Sequence, residues 1–256
     1  MIRTLAYDDR RLRDIHGDPL ISTIIESAAA QCGMGLQYDF WGVFPSRYTH
    51  KAQGYILRKG YAMWATVLEP EVAAEMIDFL LFHQSGWVEL DPILVPLWGS
   101  LGEALFVMQY PPETALPALT PDFREECPTA VCDCNLAAGG ILPKQYEASV
   151  VNLHLAQRRH VGYTVSLWRE DKVAAAAAIT DMGSRYGEIS YVATLPEYEG
   201  QGFGRAMVYR CVAALRERSR IPLIACEEHR RSFYEELGFL PLGKTYLMTD
   251  ETFAAE

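Results

Sequence analysis

Two strand–helix–strand units with the same apolar phasing constrain the fold of this 256-residue chain more than any other feature. In the first half, the aromatic and β-branched segment 60–68 predicts a strand, and apolar residues from Val72 on recur at helical spacing. In the second half, segment 189–195 predicts a strand, and the apolar face that begins at Phe203 has the same offsets as the face that begins at Val72. This order predicts an α/β fold with an internal structural repeat.

The remaining pattern completes both units. Further strands are predicted at 87–90, 104–110, 163–168, 172–180, 222–226 and 244–249. The helix from Val72 is predicted to end near residues 84–86, and a short helix over 230–237 is predicted to end at Gly238. Segment 172–180 contains five successive alanines, which favour a helix by intrinsic propensity, but turn signals on both sides favour a strand.

A proline-rich segment separates the two halves. Four prolines lie between residues 111 and 121, and such clusters are typical of connections between domains. We therefore predict a domain boundary near 112–122, with domains at 1–115 and 122–256. A length of 256 residues is compatible with two domains of this size.

Composition and charge exclude several classes of protein. The residues are 50% hydrophobic and 22% charged, which excludes a disordered chain, a collagen-like chain and a pure coiled coil. The sequence has no apolar run of the ~18 residues that a membrane-spanning helix needs and no secretory apolar segment after Met1, so we expect a cytoplasmic protein with no membrane partner. The net charge of −10 weighs against nucleic acid as a partner, because phosphate binding needs a basic face.

Three of the six cysteines cluster, at Cys127, Cys132 and Cys134. Their C-x4-C-x-C spacing differs from that of paired zinc-binding knuckles, and His154 and His160 follow well downstream. We therefore expect free thiols and no metal site.

The strongest chemical signal is a glycine-rich turn at Gly200, Gly202 and Gly204, where a predicted strand passes into a predicted helix. Glycines allow a sharp turn and a close approach to a ligand, and the first turn of a helix presents unpaired N–H groups at the positive end of its dipole. Together with Arg205, this arrangement predicts an anion cradle suited to a pyrophosphate. The alternative is a flexible glycine loop without a ligand.

Two other phosphate-binding patterns fit the sequence less well. A dinucleotide fingerprint has the spacing G-x-G-x-x-G within a βαβ repeat, whereas these glycines are spaced G-x-G-x-G late in the chain. Segment 238–245 matches the P-loop pattern G-x4-G-K-[ST] formally. A helix is predicted before it and a strand after it, which is the reverse of a P-loop.

The segment from Val192 to Arg205 resembles the acyl-CoA-binding motif of the GNAT superfamily of N-acetyltransferases, [R/Q]-x-x-G-x-[G/A] after a strand. Segment 226–239 resembles the second signature of that family, a Tyr-x-x-x-Gly-Phe helix that here begins at Tyr234. The two signatures occur in the family's order, and the resemblance covers about residues 160–249. The first half resembles a degenerate copy of the same fold without the cradle, as in tandem GNAT chains.

The resemblance implies a GNAT-like α/β fold with a mixed sheet, in two similar halves: a degenerate domain at 1–115 and a catalytic domain at 122–256. It implies acetyl-CoA as co-substrate, and Tyr234 as the acid that protonates the departing thiolate, for which a neutral phenol is suitable. The alternative is that Tyr234 only packs its helix. The residues implied in CoA binding are the main-chain groups of Val192, Ala193 and Thr194 for the pantetheine arm and the amides of Gly200, Gln201, Gly202, Phe203, Gly204 and Arg205 for the pyrophosphate.

Two acidic residues depart from the family's pattern. Glu199 stands where Arg or Gln is usual, and a carboxylate ~4 Å from a phosphate costs about 1 kcal/mol in water and ~4 kcal/mol at intermediate dielectric. We therefore predict that the Glu199 side chain turns to solvent. Glu227 stands where Asn is common. An amine acceptor must lose a proton in order to attack, and Glu188 and Glu227 are the candidate bases, with a water chain as the alternative.

The sequence thus predicts an N-acetyltransferase that moves an acetyl group from acetyl-CoA to a small-molecule or peptide amine by direct attack, as a monomer or homodimer. Trp41, Tyr61, Trp64 and Trp87 either wall an acceptor pocket or pack in the core. The alternatives are a non-catalytic acyl-CoA-binding sensor or interaction module, which the two acidic departures favour, and a protein scaffold that does not bind CoA.

Overall fold

The structure is a computed structural model that describes residues 1–32, 38–83, 86–100, 102–118, 123–125 and 127–249. Its helices are α1 (Pro19–Gln31), α2 (Ala73–His83), α3 (Val95–Trp98), α4 (Pro128–Ala137), α5 (Tyr146–Arg158), α6 (Phe203–Glu217) and α7 (Arg231–Glu236). Its strands are β1 (Ile2–Leu5), β2 (Asp39–Val43), β3 (Gly54–Lys59), β4 (Ala62–Val67), β5 (Trp87–Leu90), β6 (Glu103–Gln109), β7 (Phe123–Glu125), β8 (Tyr163–Arg169), β9 (Lys172–Met182), β10 (Tyr186–Thr194), β11 (Ile221–Cys226) and β12 (Leu240–Thr249). Within these ranges, no helix is both long and apolar enough to cross a membrane.

The chain folds into two compact units, and neither is a single stretch of sequence. The first unit contains residues 1–107, residues 226–231 and the chain from Pro241 on, and the second contains residues 108–225 and 232–240. The division into domains at 1–115 and 122–256 stays a prediction. Residues 119–122, at the predicted boundary, lie outside the described part of the chain.

In the first unit, β1 to β4 pair antiparallel in chain order, and α2 then crosses over to β5, which pairs with β4 in parallel. The C-terminal strand β12 pairs antiparallel with β5, with Tyr246 opposite Leu90, and β6 lies next to β12. The apolar face of α2, which includes Met76 and Leu80, packs on a core that these strands share. Burial of this face on the sheet accounts for the helical spacing seen in the sequence.

The second unit repeats this topology. Strands β7 to β10 pair antiparallel in chain order, and α6 crosses over to β11, which pairs with β10 in parallel. Helices α4 and α5 connect β7 to β8, as α1 connects β1 to β2 in the first unit. The repeated topology confirms the predicted α/β fold with a mixed sheet and two similar halves.

The three predicted helices are found as α2, α6 and α7, whereas α1, α3, α4 and α5 were not predicted. Helix α2 ends at His83, whereas residues 84 and 85, where the sequence predicts its end, lie outside the described ranges. Helix α7 is followed by Gly238 with a φ of 95°, the left-handed conformation that glycine commonly provides after a helix. Helix α6 begins directly after Gly202, and its predicted apolar face is buried at Met207, Val208, Cys211, Val212 and Leu215.

The alanine-rich segment is strand β9, as predicted from its flanking turns. Helices α4 and α6 both contact β9, and Ala176 and Ala178 pack in one cluster with Val131 and Cys134 of α4. Because successive residues of a strand face opposite sides, the alternate alanines face the other side of the sheet, and they too are fully buried. Small side chains let helices approach closely, so packing outweighs the helical propensity of alanine.

Candidate active site

Strands β10 and β11 begin as a parallel pair and then separate. Their register covers three residue pairs and ends with Glu188 opposite Leu223, whereas β10 continues to Thr194. Among the described residues, no further pair joins the two strands. Main-chain groups on the β11 side of this part of β10 are therefore open to an extended ligand that pairs as a strand would, whereas the carbonyl of Ala193 already accepts from the thiol of Cys134.

A bulge at Tyr191 interrupts the other edge of β10. The register with β9 passes from Ser190 opposite Ala178 to Ala193 opposite Ala176, so two residues of β10 stand against one residue of β9. Tyr191 has a φ of 53°, a left-handed conformation that is uncommon for a residue with a Cβ. Because a bulge bends its strand and increases the local twist, we attribute the separation of β10 from β11 to it.

The glycine-rich turn after β10 is open and has no side-chain cap. Gly200 has a φ of 73° and Gly202 a φ of 80°, and a Cβ at either position would meet no heavy atom within 4 Å. Gly202 is the N-cap of α6, and the amide of Ala206 donates the first intrahelical hydrogen bond to its carbonyl at 3.1 Å. The amides of residues 203–205 precede that bond and point out of the helix end, which is an anion-binding arrangement.

Charged side chains of both signs surround this turn. Glu199 is exposed, so its carboxylate lies in solvent as predicted. Arg205 forms an exposed ion pair with Glu236 at 3.5 Å. The guanidinium of Arg169, at the end of β8, lies over the ring of Phe203 with its Cζ 5.0 Å from the ring centroid. Arg169 thus brings to the first turn of α6 a positive charge that position 199 does not supply.

Tyr234 lies on α7 with 4% of its surface exposed. Its ring packs edge-on against Phe233 and Phe239, with centroid distances of 5.0 and 5.9 Å. Its carbonyl accepts hydrogen bonds from the amides of Leu237 and Phe239, which fix the turn after the helix. These contacts hold the phenol in one place, as a positioned acid requires, and its role in proton transfer stays a prediction.

The two candidate bases lie in different surroundings. Glu188 is half-buried in β10, opposite Asp181 of β9, and the hydroxyl of Thr180 donates to its Oε2 at 3.4 Å. Glu227 follows β11 and is exposed, with its Oε2 3.0 Å from Nδ1 of His229. Glu188 is also the last residue of β10 that pairs with β11. Its place on the strand that carries the candidate donor contacts favours Glu188 over Glu227 as the base.

The buried cysteines are poor nucleophiles. All six cysteines are thiols rather than disulfides. Burial, with the negative charge of Asp133, raises the pKa of Cys132 and of Cys134 to about 11. Burial likewise raises the pKa of Cys226 to about 11 and that of Cys211 further. Because the thiolate is the reactive form, these four buried thiols are poor nucleophiles near neutral pH.

Metal-ligating side chains do not converge in the described part of the chain. Over those residues, no group of three or more His, Cys, Asp or Glu side chains is placed to hold a metal ion. The clustered cysteines Cys132 and Cys134 point into the core of the second unit, where they pack with alanines of β9.

In the first unit, strands β4 and β5 correspond to β10 and β11 of the second unit, but a carboxylate of the protein occupies the end of this pair. Strands β4 and β5 pair in parallel over three residue pairs, and Asp91 follows β5 directly. The carboxylate of Asp91 accepts hydrogen bonds from the hydroxyl of Thr66 at 3.1 Å and from the amide of Val67 at 3.4 Å. The connection at 68–72 contains no glycine. Groups that an extended ligand would use are thus occupied by the protein itself.

The aromatic residues of the first unit pack mainly on one another. Trp64 and Trp87 meet edge to face with centroids 4.8 Å apart, and Trp41 meets Phe79 in the same way at 5.2 Å. Tyr61 is exposed. These contacts favour packing as the role of the three tryptophans, and the acceptor-pocket alternative stays a prediction.

Two residues at the site carry no sequence signal. Asn135 of α4 bonds to the main chain of Tyr191, 56 positions away, and no spacing rule connects them. Arg169 directly follows a predicted strand, and nothing in the sequence indicates that the fold places it beside Phe203 in the first turn of α6. The positive φ of Tyr191 is equally hidden, because sequence suggests this conformation only at Gly, Asn or Asp.

Residues 120–239 match the model of the acetyltransferase (GNAT) family. No curated protein matches the sequence. Among solved structures, the chain is similar to a tandem GNAT protein from the clavulanic acid biosynthesis pathway, with a TM-score of 0.61 and 13% identity over 97% of this chain and 98% of the other.

Two further solved structures have the same fold. A GCN5-related N-acetyltransferase from Kribbella flavida has a TM-score of 0.60 and 14% identity, over 91% of this chain and 94% of the other. An acetyltransferase of the GNAT family from Colwellia psychrerythraea has a TM-score of 0.59 and 11% identity, over 98% of this chain and 100% of the other. At such low identity these likenesses show the fold alone.

Proposed function

We propose that this chain, whose residues 120–239 match the model of the GNAT acetyltransferase family, transfers an acetyl group from acetyl-CoA to an amine. The observation that carries the proposal is the open turn at 200–205, which directly follows a strand that has parted from its neighbour. Acetyl-CoA has an extended pantetheine arm between its thioester and its diphosphate. A free strand edge followed by an anion cradle fits both parts of that molecule.

The residues present at the turn fit the donor substrate. Side chains at Gly200 and Gly202 would stand in the open space before the helix, and their absence leaves room for a diphosphate. The amides of residues 200–205 would donate to its oxygens, and Arg169 would add long-range attraction. The main chain of Val192 to Thr194 would pair with the pantetheine amides and fix the position of the thioester.

The transfer is a direct displacement. The neutral amine nitrogen bonds to the thioester carbonyl carbon as the carbon–sulfur bond breaks, and Glu188 accepts the proton that this nitrogen loses. Tyr234 donates a proton to the departing thiolate. Glu188 then releases its proton to solvent and Tyr234 regains one from solvent, so the products are an N-acetylated amine and free CoA. A phenol of ordinary pKa ~10 can protonate a thiolate whose thiol has a pKa of ~8.5.

Replacement of Tyr234 tests whether the chain catalyses acyl transfer or only binds acyl-CoA. In the Tyr234→Phe variant we expect turnover with a panel of amines to fall at least tenfold, while calorimetry gives an unchanged Kd for acetyl-CoA. The control is Tyr163→Phe, which removes a buried hydroxyl that donates to Glu125 at 2.7 Å at the far end of β8 from Arg169. Unchanged turnover in Tyr234→Phe would refute its role, and a wild-type chain that does not bind acetyl-CoA would refute the proposed function.

A further inference from the structure

We infer that Asn135 is a positioning residue for acyl transfer: its side-chain amide holds the bulge of β10 and so aligns the main chain of Val192 to Thr194 with the thioester. The catalytic consequence rests on the proposed function. The mechanical part, that Asn135 maintains the bulge, rests on the contacts of the described residues alone.

Both hydrogens of the Asn135 side-chain amide are used. Asn135 lies on α4 and is 3% exposed. Its Nδ2 donates to the carbonyl of Tyr191 at 2.8 Å and to the carbonyl of Val131, one turn earlier in the helix, at 2.9 Å. An amide NH2 group has two hydrogens, so one fixes the side chain to its own helix and the other reaches the bulge.

Two neighbouring contacts support the same segment. The thiol of Cys134 lies 3.8 Å from the carbonyl of Ala193, two residues after Tyr191 along β10. The hydroxyl of Tyr191 donates to Ser149 of α5 at 3.0 Å. Burial raises the pKa of Tyr191, so this hydroxyl keeps the proton that it donates. Helices α4 and α5 therefore fix both the main chain and the side chain of the bulge.

The bulge needs such support because its conformation is strained. A residue with a Cβ at a φ of 53° persists only where its surroundings enforce that conformation. Without the bond from Asn135, the carbonyl of Tyr191 is left buried without its donor, and relaxation toward a regular strand becomes favourable. Relaxation moves the residues after the bulge by one position, and a shift of one residue turns every following group to the opposite side.

Asn135 is expected to affect the kinetic constants for acetyl-CoA but not the KM for the amine. Loss of the Asn135 bond is expected to raise the KM for acetyl-CoA and to lower kcat, since the contacts of Val192 to Thr194 position the thioester. The KM for the amine is expected to stay within twofold. A merely structural role of Asn135 would lower the amount of folded protein without this split.

The experiment compares Asn135→Asp and Asn135→Leu with the control Gln157→Leu. Gln157 lies on α5, and its side-chain amide donates to the hydroxyl of Thr164 in β8 at 2.9 Å, so the control loses a comparable bond away from β10. Amide hydrogen exchange is measured on the ligand-free chains, and acetyl-CoA affinity by calorimetry. Both Asn135 variants are expected to exchange at least tenfold faster at Val192 to Thr194 and to bind acetyl-CoA at least tenfold more weakly, and the control to do neither.

The outcomes are distinguishable. Exchange at Val192 to Thr194 that is unchanged in both Asn135 variants overturns the inference, as does acetyl-CoA affinity equal to that of Gln157→Leu. The two variants guard against failure of one to fold, because Asp keeps the shape of Asn, whereas Leu introduces no charge into the buried site. A wild-type chain that does not bind acetyl-CoA refutes the proposed function and the catalytic part of the inference, while hydrogen exchange still decides the mechanical part.

Discussion

A half-buried carboxylate at the start of α1 gives a quantitative prediction for the stability of the first unit. Asp18 caps α1, and its Oδ1 accepts hydrogen bonds from the amides of Leu20 and Ile21, both at 3.0 Å. Burial raises the pKa of Asp18 from 3.8 to about 6, and the negative charge of Asp91 raises it as well. The carboxyl group of Asp18 is therefore costly to ionise.

The sign of the effect on stability follows from the direction of this pKa change. The folded chain keeps the Asp18 proton over a pH range in which the unfolded chain releases it. The free energy of unfolding is therefore expected to fall as the pH rises from about 4 to about 6 and to stay lower above that range. A tenfold change in an ionisation constant corresponds to about 1.36 kcal/mol, so a pKa of about 6 in place of 3.8 corresponds to roughly 3 kcal/mol at neutral pH.

The substitution Asp18→Asn removes the ionisation and keeps an oxygen that can cap the helix. We expect it to raise the free energy of unfolding by up to roughly 3 kcal/mol at pH 8 and to change it little at pH 4. The matched control is Asp9→Asn. Hydrogen bonding to Arg11 lowers the pKa of Asp9, so its contribution to stability is present above pH 3.8 and is lost as the pH falls through the lowered pKa. The control is therefore expected to destabilise at neutral pH.

Urea unfolding followed by tryptophan fluorescence at pH 4 to 8 measures both variants. Four of the five tryptophans lie in the first unit, so the signal reports mainly on that unit. An Asp18→Asn variant that is no more stable than the wild type at pH 8, or that keeps the wild-type dependence on pH between 4 and 6, would refute the reasoning.

Two further predictions concern the site of the second unit. Arg169→Gln is expected to weaken acetyl-CoA binding several-fold at low salt and less at 0.5 M salt, because it removes a positive charge near the first turn of α6. Glu199→Gln, at a solvated position, is expected to change the affinity for acetyl-CoA less than tenfold. A larger gain in affinity, measured by calorimetry, would contradict the account. Glu188→Gln is expected to lower turnover at least tenfold and to flatten the acidic limb of the pH profile of turnover, while the affinity for acetyl-CoA is unchanged. Glu227→Gln is the control and is expected to change turnover less than twofold. The reverse ranking would assign the base to Glu227.

The strand–helix–strand units and the glycine turn could be predicted from sequence because their signals are local. Helices α2 and α6 each bury one face on a sheet, and this leaves an apolar stripe at helical spacing. The turn at 200–205 combines glycines with a strand before and a helix after it, so three neighbouring segments agree. The prediction of strand β9 depended on its flanking turn signals, because its alanines alone favour a helix.

Other parts of the fold were not predicted from the sequence. Helix α1 is one of them, although Leu20, Ile21, Ile24, Ile25 and Ala28 recur at helical spacing after its cap Asp18. Strands β1 to β3 and helices α4 and α5 were likewise not predicted. The pairing of β12 with β5 places Tyr246 opposite Leu90, and the hydrogen bond of Asn135 to Tyr191 joins helix α4 to strand β10. Such contacts depend on the folded chain as a whole and leave no spacing in the sequence.

The most direct measurement of the central claim is a crystal structure of the chain grown with acetyl-CoA. The account predicts one molecule of acetyl-CoA per chain, with its diphosphate oxygens within ~2.7–3.2 Å of main-chain nitrogens between residues 200 and 205 and its pantetheine arm along β10. A diphosphate held elsewhere, with the amides of 200–205 bonded to the protein, or a second molecule in the first unit, would contradict it.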